Sequence, residues 1–210
     1  MKNKTVLDIL KANNAVITND HFVYTSDRHG SVYINKDMIY PHTRITSEIG
    51  RIFANTFKNL DIDVVVAPAI GGIVLSQWTA HHLSEIKKKQ ILGMYTEKNL
   101  EKNQIFTRGY DKLIQNKNVL IIEDITTTGG SVKKVISSVQ EHGGNILAIG
   151  VMVNRDPKNV TSSTFDYPFV ALSELFVESY EETECPICKT NKPINTLIGH
   201  GKKFLAAKKL

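Results

Sequence analysis

Apolar residues along this chain fall into two patterns. The unbroken runs in "DVVVA" (63–67), "NVLIIED" (118–124) and "NILAIGVMVN" (145–154) have the length and β-branched content of strands covered on both faces. Between them, Ile45, Ile49, Ile52, Phe53 and Phe57 recur at helical spacing, and the residues after "PAIGG" predict a helix through Leu83. "SVKKVISSVQEHGG" predicts another, ended by Gly143 and Gly144. "QILGMYT" and "YPFVALS" add strands, and "MKNKTVLDILKANNAV" an amphipathic helix starting near Thr5. In "HFVYTSDRHGSVYIN" apolar and polar residues alternate on both sides of "SDRHG", which predicts a hairpin. Glu97 to Asp111 is polar and lysine-rich without a period and predicts a long mobile loop. Strands alternating with helices specify an α/β fold, a mainly parallel central sheet with flanking helices.

Composition changes this picture little. At 210 residues, 41% hydrophobic and 22% charged, the chain can bury one core and carry a small appendage. From Glu181 it turns acidic, then "CPICK", then basic, so the expected division is 1–180 for the main domain and 181–210 for a C-terminal appendage. The charge of +5 gathers partly at Lys202, Lys203, Lys208 and Lys209, too short a cluster for a nucleic-acid partner. The longest apolar stretch is broken by Pro68, Gly71 and Gly72, so no membrane partner is expected, and two cysteines make no disulfide scaffold. A cytoplasmic enzyme or binding protein is the expectation.

Two strand ends carry the chemistry. In open α/β sheets ligands bind beyond the carboxyl ends of the strands. After the first buried run, "APAIGG" lets backbone approach a ligand and aims N–H groups at an anion, although glycines also simply turn chains. After the second, "VLIIEDITTTGGS" (119–131) sets Glu123 beside Asp124 where like charges repel, then Thr126, Thr127, Thr128 and Ser131 with Gly129 and Gly130 at a helix start. Hydroxyls and N–H groups at the positive end of a helix form a phosphate cradle. Paired carboxylates suit vicinal hydroxyls. Together they describe a site for a ribose 5-phosphate unit.

That signature resembles the type I phosphoribosyltransferases, which bind phosphoribosyl pyrophosphate (PRPP). "YTSDRHGSVYINKD", "APAIGGI" and "VNRD" narrow the resemblance, over about residues 15–175, to the orotate phosphoribosyltransferase family. The resemblance implies that family's fold, with an N-terminal hairpin hood at about 15–40, and a glycosyltransfer from PRPP to orotate in pyrimidine biosynthesis. PRPP would be held by Glu123, Asp124, Ile125 and Thr126, then by Thr127, Thr128, Gly129, Gly130 and Ser131. Ala69, Ile70, Gly71 and Gly72 would present backbone to pyrophosphate through a non-proline cis peptide. Lys98, Lys102 and Arg108 would close over PRPP from the loop, with Asp124, Lys98 and Lys102 as the catalytic set. Arg155, Thr127, His29 and Tyr33 would meet orotate. Mg²⁺ would arrive with PRPP, near Glu123 and Asp124, and the enzyme would be a homodimer whose loops act in trans. Asp27 stands where the family usually has glycine.

Two other functions share these motifs, a purine phosphoribosyltransferase and a PRPP- or nucleotide-sensing protein without catalysis. Separately, "CPIC" is half of a zinc knuckle. Cys185 and Cys188, with His200 twelve positions on, would give three zinc ligands, the fourth coming from another histidine or a second subunit. Two reduced thiols in a turn are the alternative.

Overall fold

The computed structural model describes residues 5–208, so Lys209 of the basic tail lies outside it. In chain order the elements are α1 (Val6–Ala12), then four two-residue strands, β1 (Val16–Ile17), β2 (Phe22–Val23), β3 (His29–Gly30) and β4 (Tyr33–Ile34). Next come α2 (Thr43–Phe57), β5 (Val64–Pro68), α3 (Gly71–Lys87), β6 (Leu92–Lys98), β7 (Gln104–Ile105) and β8 (Asn118–Thr126). They are followed by α4 (Gly130–Glu141), β9 (Asn145–Asn154), α5 (Ser162–Phe165), β10 (Phe169–Ala171), α6 (Pro186–Lys189) and α7 (Gly201–Ala207). The chain divides into two compact units, residues up to Ile9 with Tyr40–Leu175, and Leu10–Ile39 with Phe176 onward. The residues expected to form a hood therefore group with the C-terminal segment from Phe176. Among the described residues no helix is long and apolar enough to cross a membrane.

The first unit is built on a six-stranded sheet in the order β10-β9-β8-β5-β6-β7. All neighbours pair in parallel except β7, which runs antiparallel to β6. Every residue of β5 is buried, and β8 is buried from Val119 to Asp124, as the unbroken apolar runs require of strands covered on both faces. α4 turns Val132, Val135, Ile136 and Val139 into the core shared with Val64, Val66, Val119, Ile121 and Ile149. From β5 the chain crosses to β6 on one side, then returns to β8 and builds β9 and β10 on the other. The strand order thus reverses between β5 and β8, and it is beyond the carboxyl ends at such a switch point that open α/β sheets bind ligands.

Residues 97–111 are not a featureless loop: Glu97 pairs with Ile105 and Lys98 with Gln104, closing a hairpin. Two buried anchors produce it, Gln104, whose Oε1 accepts from the Thr96 hydroxyl at 2.9 Å, and Phe106, which joins the core. α3 also runs four residues beyond Leu83, to Lys87, and the short α5 carries no periodicity long enough to read.

In the second unit β2 pairs antiparallel with β3, and β1 with β4, forming the expected hairpin. At its tip Asp27 has φ +60°, a left-handed turn that explains why glycine suits this position. The C-terminal segment lies along the hairpin: His29 and Tyr180 exchange backbone hydrogen bonds of 2.8 and 2.9 Å. The Arg28 guanidinium donates to the Ser179 hydroxyl at 3.1 Å and pairs with Glu181.

Candidate active site

The carboxyl ends of β5 and β8 each run directly into a helix. Ile70 is the N-cap of α3 and Gly129 that of α4, and neither helix start has a side-chain cap. Apart from Ile73 N–H, which donates to Ile70 O at 3.2 Å, the first-turn N–H groups of both helices have no helical carbonyl ahead of them, and each helix dipole adds positive potential at this end. Two such ends at one switch point make a site for a ligand with two anionic groups.

On the β8 side, Thr126 is buried and its Oγ1 accepts from Gly129 N–H at 3.1 Å, which folds the turn back on itself. Gly129 has φ +77°, and a Cβ there would stand 2.7 Å from Cε1 of Phe165, so the turn admits glycine alone without displacement. Thr127, Thr128, Gly130 and Ser131 are exposed, a row of hydroxyls and amides open to a ligand. Ahead of them Glu123 and Asp124 are 6% and 4% exposed. Backbone N–H groups face both acids, Asp124 N–H donating to Glu123 Oε1 at 3.0 Å and Ile125 N–H to Asp124 Oδ1 at 2.6 Å. The Tyr40 hydroxyl donates to Asp124 Oδ2 at 3.2 Å. Those donors give both buried acids hydrogen-bond partners in place of the water that burial removes.

On the β5 side the peptide bond Ala69–Ile70 is cis, where the family resemblance placed one. Ala69 N–H donates to Thr96 O at 2.7 Å, and Ile70 is held out at 84% exposure. Gly71 and Gly72 are the first turn of α3, and a Cβ on Gly72 would meet Cβ of Ala67 at 2.6 Å. Glycine here lets helix and strand approach closely. Arg155 directly follows β9, and its N–H donates to Thr126 O at 2.9 Å, which brings it beside the cradle turn. The buried Asn154 shapes the bend that carries it, donating to Val160 O at 2.9 Å and accepting from Asp156 N–H at 3.0 Å.

Lys98 and Lys102 are exposed on the β6–β7 hairpin, and Lys134 of α4 donates to Lys102 O at 2.6 Å. Arg108 pairs with Glu97 at 3.2 Å. The Thr107 hydroxyl first, and Arg108 second, hold Glu97 below the ordinary carboxylate range. In the second unit Tyr33 is half-buried against Phe22. His29 departs from expectation: its ring has no exposed surface to offer a base, and lies against His21 and Phe204. His200 also departs, its Nε2 lying 3.3 Å from the Thr25 hydroxyl. Tyr40, Asn154 and His21 were not singled out in the sequence. No local pattern marks any of the three, and His21, just before β2, and His29, opening β3, come from opposite arms of the hairpin.

A family model described as "Phosphoribosyl transferase domain" matches residues 35–182. An orotate phosphoribosyltransferase of Thermoanaerobacter is 35% identical over 194 residues, covering 92% of this chain and 96% of its own. One from Thermotoga maritima is 31% identical over 198 residues, covering 94% and 100%. Among solved structures, Mycobacterium tuberculosis orotate phosphoribosyltransferase in complex with PRPP superposes with a TM-score of 0.60 at 17% identity, over 81% of this chain and 96% of that one. Leishmania donovani UMP synthase gives 0.62 at 16% identity, over 97% of this chain and 41% of that one. At such identities the superpositions speak to the fold alone.

Proposed function

Since the chain belongs to the orotate phosphoribosyltransferase family, we propose that it transfers the ribose 5-phosphate unit of PRPP to a ring nitrogen of orotate, releasing pyrophosphate and orotidine 5'-phosphate. The observation that carries this reading is the meeting of two uncapped helix starts and a buried acid pair at the β5/β8 switch point. PRPP has the matching chemistry: two anionic ends separated by a ring bearing vicinal hydroxyls.

In this reading Thr126 to Ser131 hold the 5-phosphate, and Ala69 to Gly72 hold the pyrophosphate against the start of α3. Glu123 and Asp124 accept hydrogen bonds from the ribose hydroxyls and keep C1 fixed between leaving group and acceptor. The C1–O bond breaks with its electron pair going to pyrophosphate, and the C1–N bond forms on the opposite side as the ring nitrogen's N–H bond breaks and its proton passes to the released pyrophosphate. Carboxylates beside the ring stabilise positive charge developing at C1. Arg155 pairs with the orotate carboxylate through a planar fork. Tyr33 is the hood residue kept for the base, and His29 is not. Lys98, Lys102 and Arg108 neutralise pyrophosphate and exclude water as the hairpin closes.

The donor set also fits Mg²⁺, since Glu123 and Asp124 are hard oxygen donors beside the anion-binding turns. Mg²⁺ supplies charge neutralisation on the leaving pyrophosphate when bound. A cytoplasmic homodimer with hairpins acting in trans belongs to the same proposal and rests on the family resemblance.

A turnover screen tests it. With PRPP and Mg²⁺, orotate should be consumed and uracil, hypoxanthine, adenine and xanthine should not. Use of a purine in place of orotate would transfer the assignment to the purine enzymes. PRPP binding without turnover of any base would favour the sensing protein.

A further inference from the structure

The proposed reaction makes no use of four donor side chains that converge within the second unit. His21 and His29 come from the hairpin, Cys185 and Cys188 from the start of α6, and their ligand atoms all lie within 4.8 Å of one another. His21 Nε2 stands 2.9 Å from His29 Nδ1, 3.9 Å from Cys185 Sγ and 3.6 Å from Cys188 Sγ, and His29 Nδ1 is 3.3 Å from Cys188 Sγ. Around a tetrahedral ion with bonds of about 2.0 Å to nitrogen and about 2.3 Å to sulfur, neighbouring donors are about 3.3–3.8 Å apart. Three of the four separations fall in or within 0.1 Å of that range, and the histidine pair is short by about half an ångström.

The rings are turned as ligands need to be. His21 Nδ1 lies 2.7 Å from the Lys192 carbonyl, which can only accept, so Nδ1 carries the proton and Nε2 presents its lone pair to the cluster. Among the described residues His29 Nε2 has no hydrogen-bond partner, so that ring engages polar groups through Nδ1 alone. Pro186 opens α6 and brings Cys188 back beneath Cys185 in one turn. His21, His29 and Cys185 are 1%, 0% and 0% exposed and Cys188 is half-buried, so the donor atoms lie largely out of solvent.

We propose that His21 Nε2, His29 Nδ1, Cys185 Sγ and Cys188 Sγ bind one zinc ion in a closed Cys₂His₂ site that fastens the C-terminal segment to the hairpin. An S₂N₂ donor set at tetrahedral spacing selects zinc over harder cations. A two-iron cluster would place the cysteines and histidines on different metals, whereas here all four donor atoms lie within 4.8 Å of one another, close enough to surround one ion. The ion is structural, because a site with four protein ligands has no open position. His200 is not a ligand, which corrects the set expected from the sequence.

The full chain, purified without added zinc, should contain about one zinc per chain by elemental analysis. Cys188→Ser and His21→Gln should each abolish it, and His200→Gln should retain it. Should either ligand variant fail to fold, the wild-type chain gives an independent answer. After chelation under reducing conditions, titration with Co²⁺ should saturate at about one equivalent, with the thiolate charge-transfer and visible bands of a tetrahedral Cys₂His₂ site. A metal-free protein whose Co²⁺ titration gives no such bands would overturn the proposal, as would loss of zinc in His200→Gln. None of these readouts depends on orotate turnover, so the proposed reaction stands or falls separately.

Discussion

Replacing Gly129 with alanine is the sharpest test of the cradle. Two costs follow from the structure. The backbone at φ +77° is left-handed, which disfavours an L-residue by about 1–2 kcal/mol. The new Cβ would also sit 2.7 and 2.8 Å from ring carbons of Phe165, itself 4% exposed and packed in the core. Displacing a packed aromatic ring costs about 1–3 kcal/mol. The sum is about 2–5 kcal/mol of stability. Gly130 is the internal control, because a Cβ there meets only Thr128 Oγ1, at 3.5 Å, an ordinary contact. Gly130→Ala should therefore change stability by less than about 1 kcal/mol, in the stabilising direction. Trp78, the single tryptophan, lies on α3 in the same unit, so urea unfolding followed by its fluorescence reads both variants. Equal stability of the two variants, or a Gly129→Ala protein within about 0.5 kcal/mol of the parent, would refute the argument that this turn requires glycine.

Three further outcomes are expected. Arg155→Ala should impair orotate use by about 10- to 100-fold, the loss of a charged hydrogen-bond pair of roughly 1.5–3 kcal/mol. The Michaelis constant for PRPP should move far less, and equal losses for both substrates would make Arg155 a support of the cradle instead. Mixing an inactive Lys98→Ala, Lys102→Ala double variant with an inactive Asp124→Asn variant should restore activity in hybrid dimers, and hybrids that form yet stay inactive would exclude hairpins working in trans. Asp63, held below its ordinary 3.8 chiefly by Asn118 N–H and then by Lys89, should contribute stability that is complete above that value and lost as pH falls through its lower folded value. Its side chain is about a third exposed, so the contribution should be under about 1 kcal/mol. Urea midpoints for Asp63→Asn should depend less on pH than the parent's below about pH 4, and parallel curves would remove the effect.

The sequence was most legible where one property repeats over many residues. β5, β8 and β9 were marked by apolar runs long enough to need cover on both faces, and the helices between them by spacing. The acid pair and the Thr/Gly turn were legible because their chemistry is costly without a ligand. The β6–β7 hairpin was not, since β7 has only two residues and is held by Gln104 and Phe106, whose partners lie outside the segment. Tyr40 reaches Asp124 across 84 positions, a distance at which no periodicity speaks. The cysteine turn was recognised for its spacing, but its histidines were not, because the pairing depends on which strand the C-terminal segment follows. Asp27 was legible only as a departure, and its left-handed backbone supplies the reason.

The make-up of the second unit has a consequence for when it can exist. Its hairpin is synthesised before the sheet, yet Cys188 lies 167 positions after His21. A chain emerging from the ribosome can complete β5 through β10 while the hairpin still lacks the strap that lies along it. Until the last segment arrives, the hydrogen-bonding edge of His29 and the side chains of His21 and His29 face whatever else is in the cell. The second unit can therefore be completed only after the sheet-forming segments have been made, because the strap that bonds to His29 comes after them in the chain.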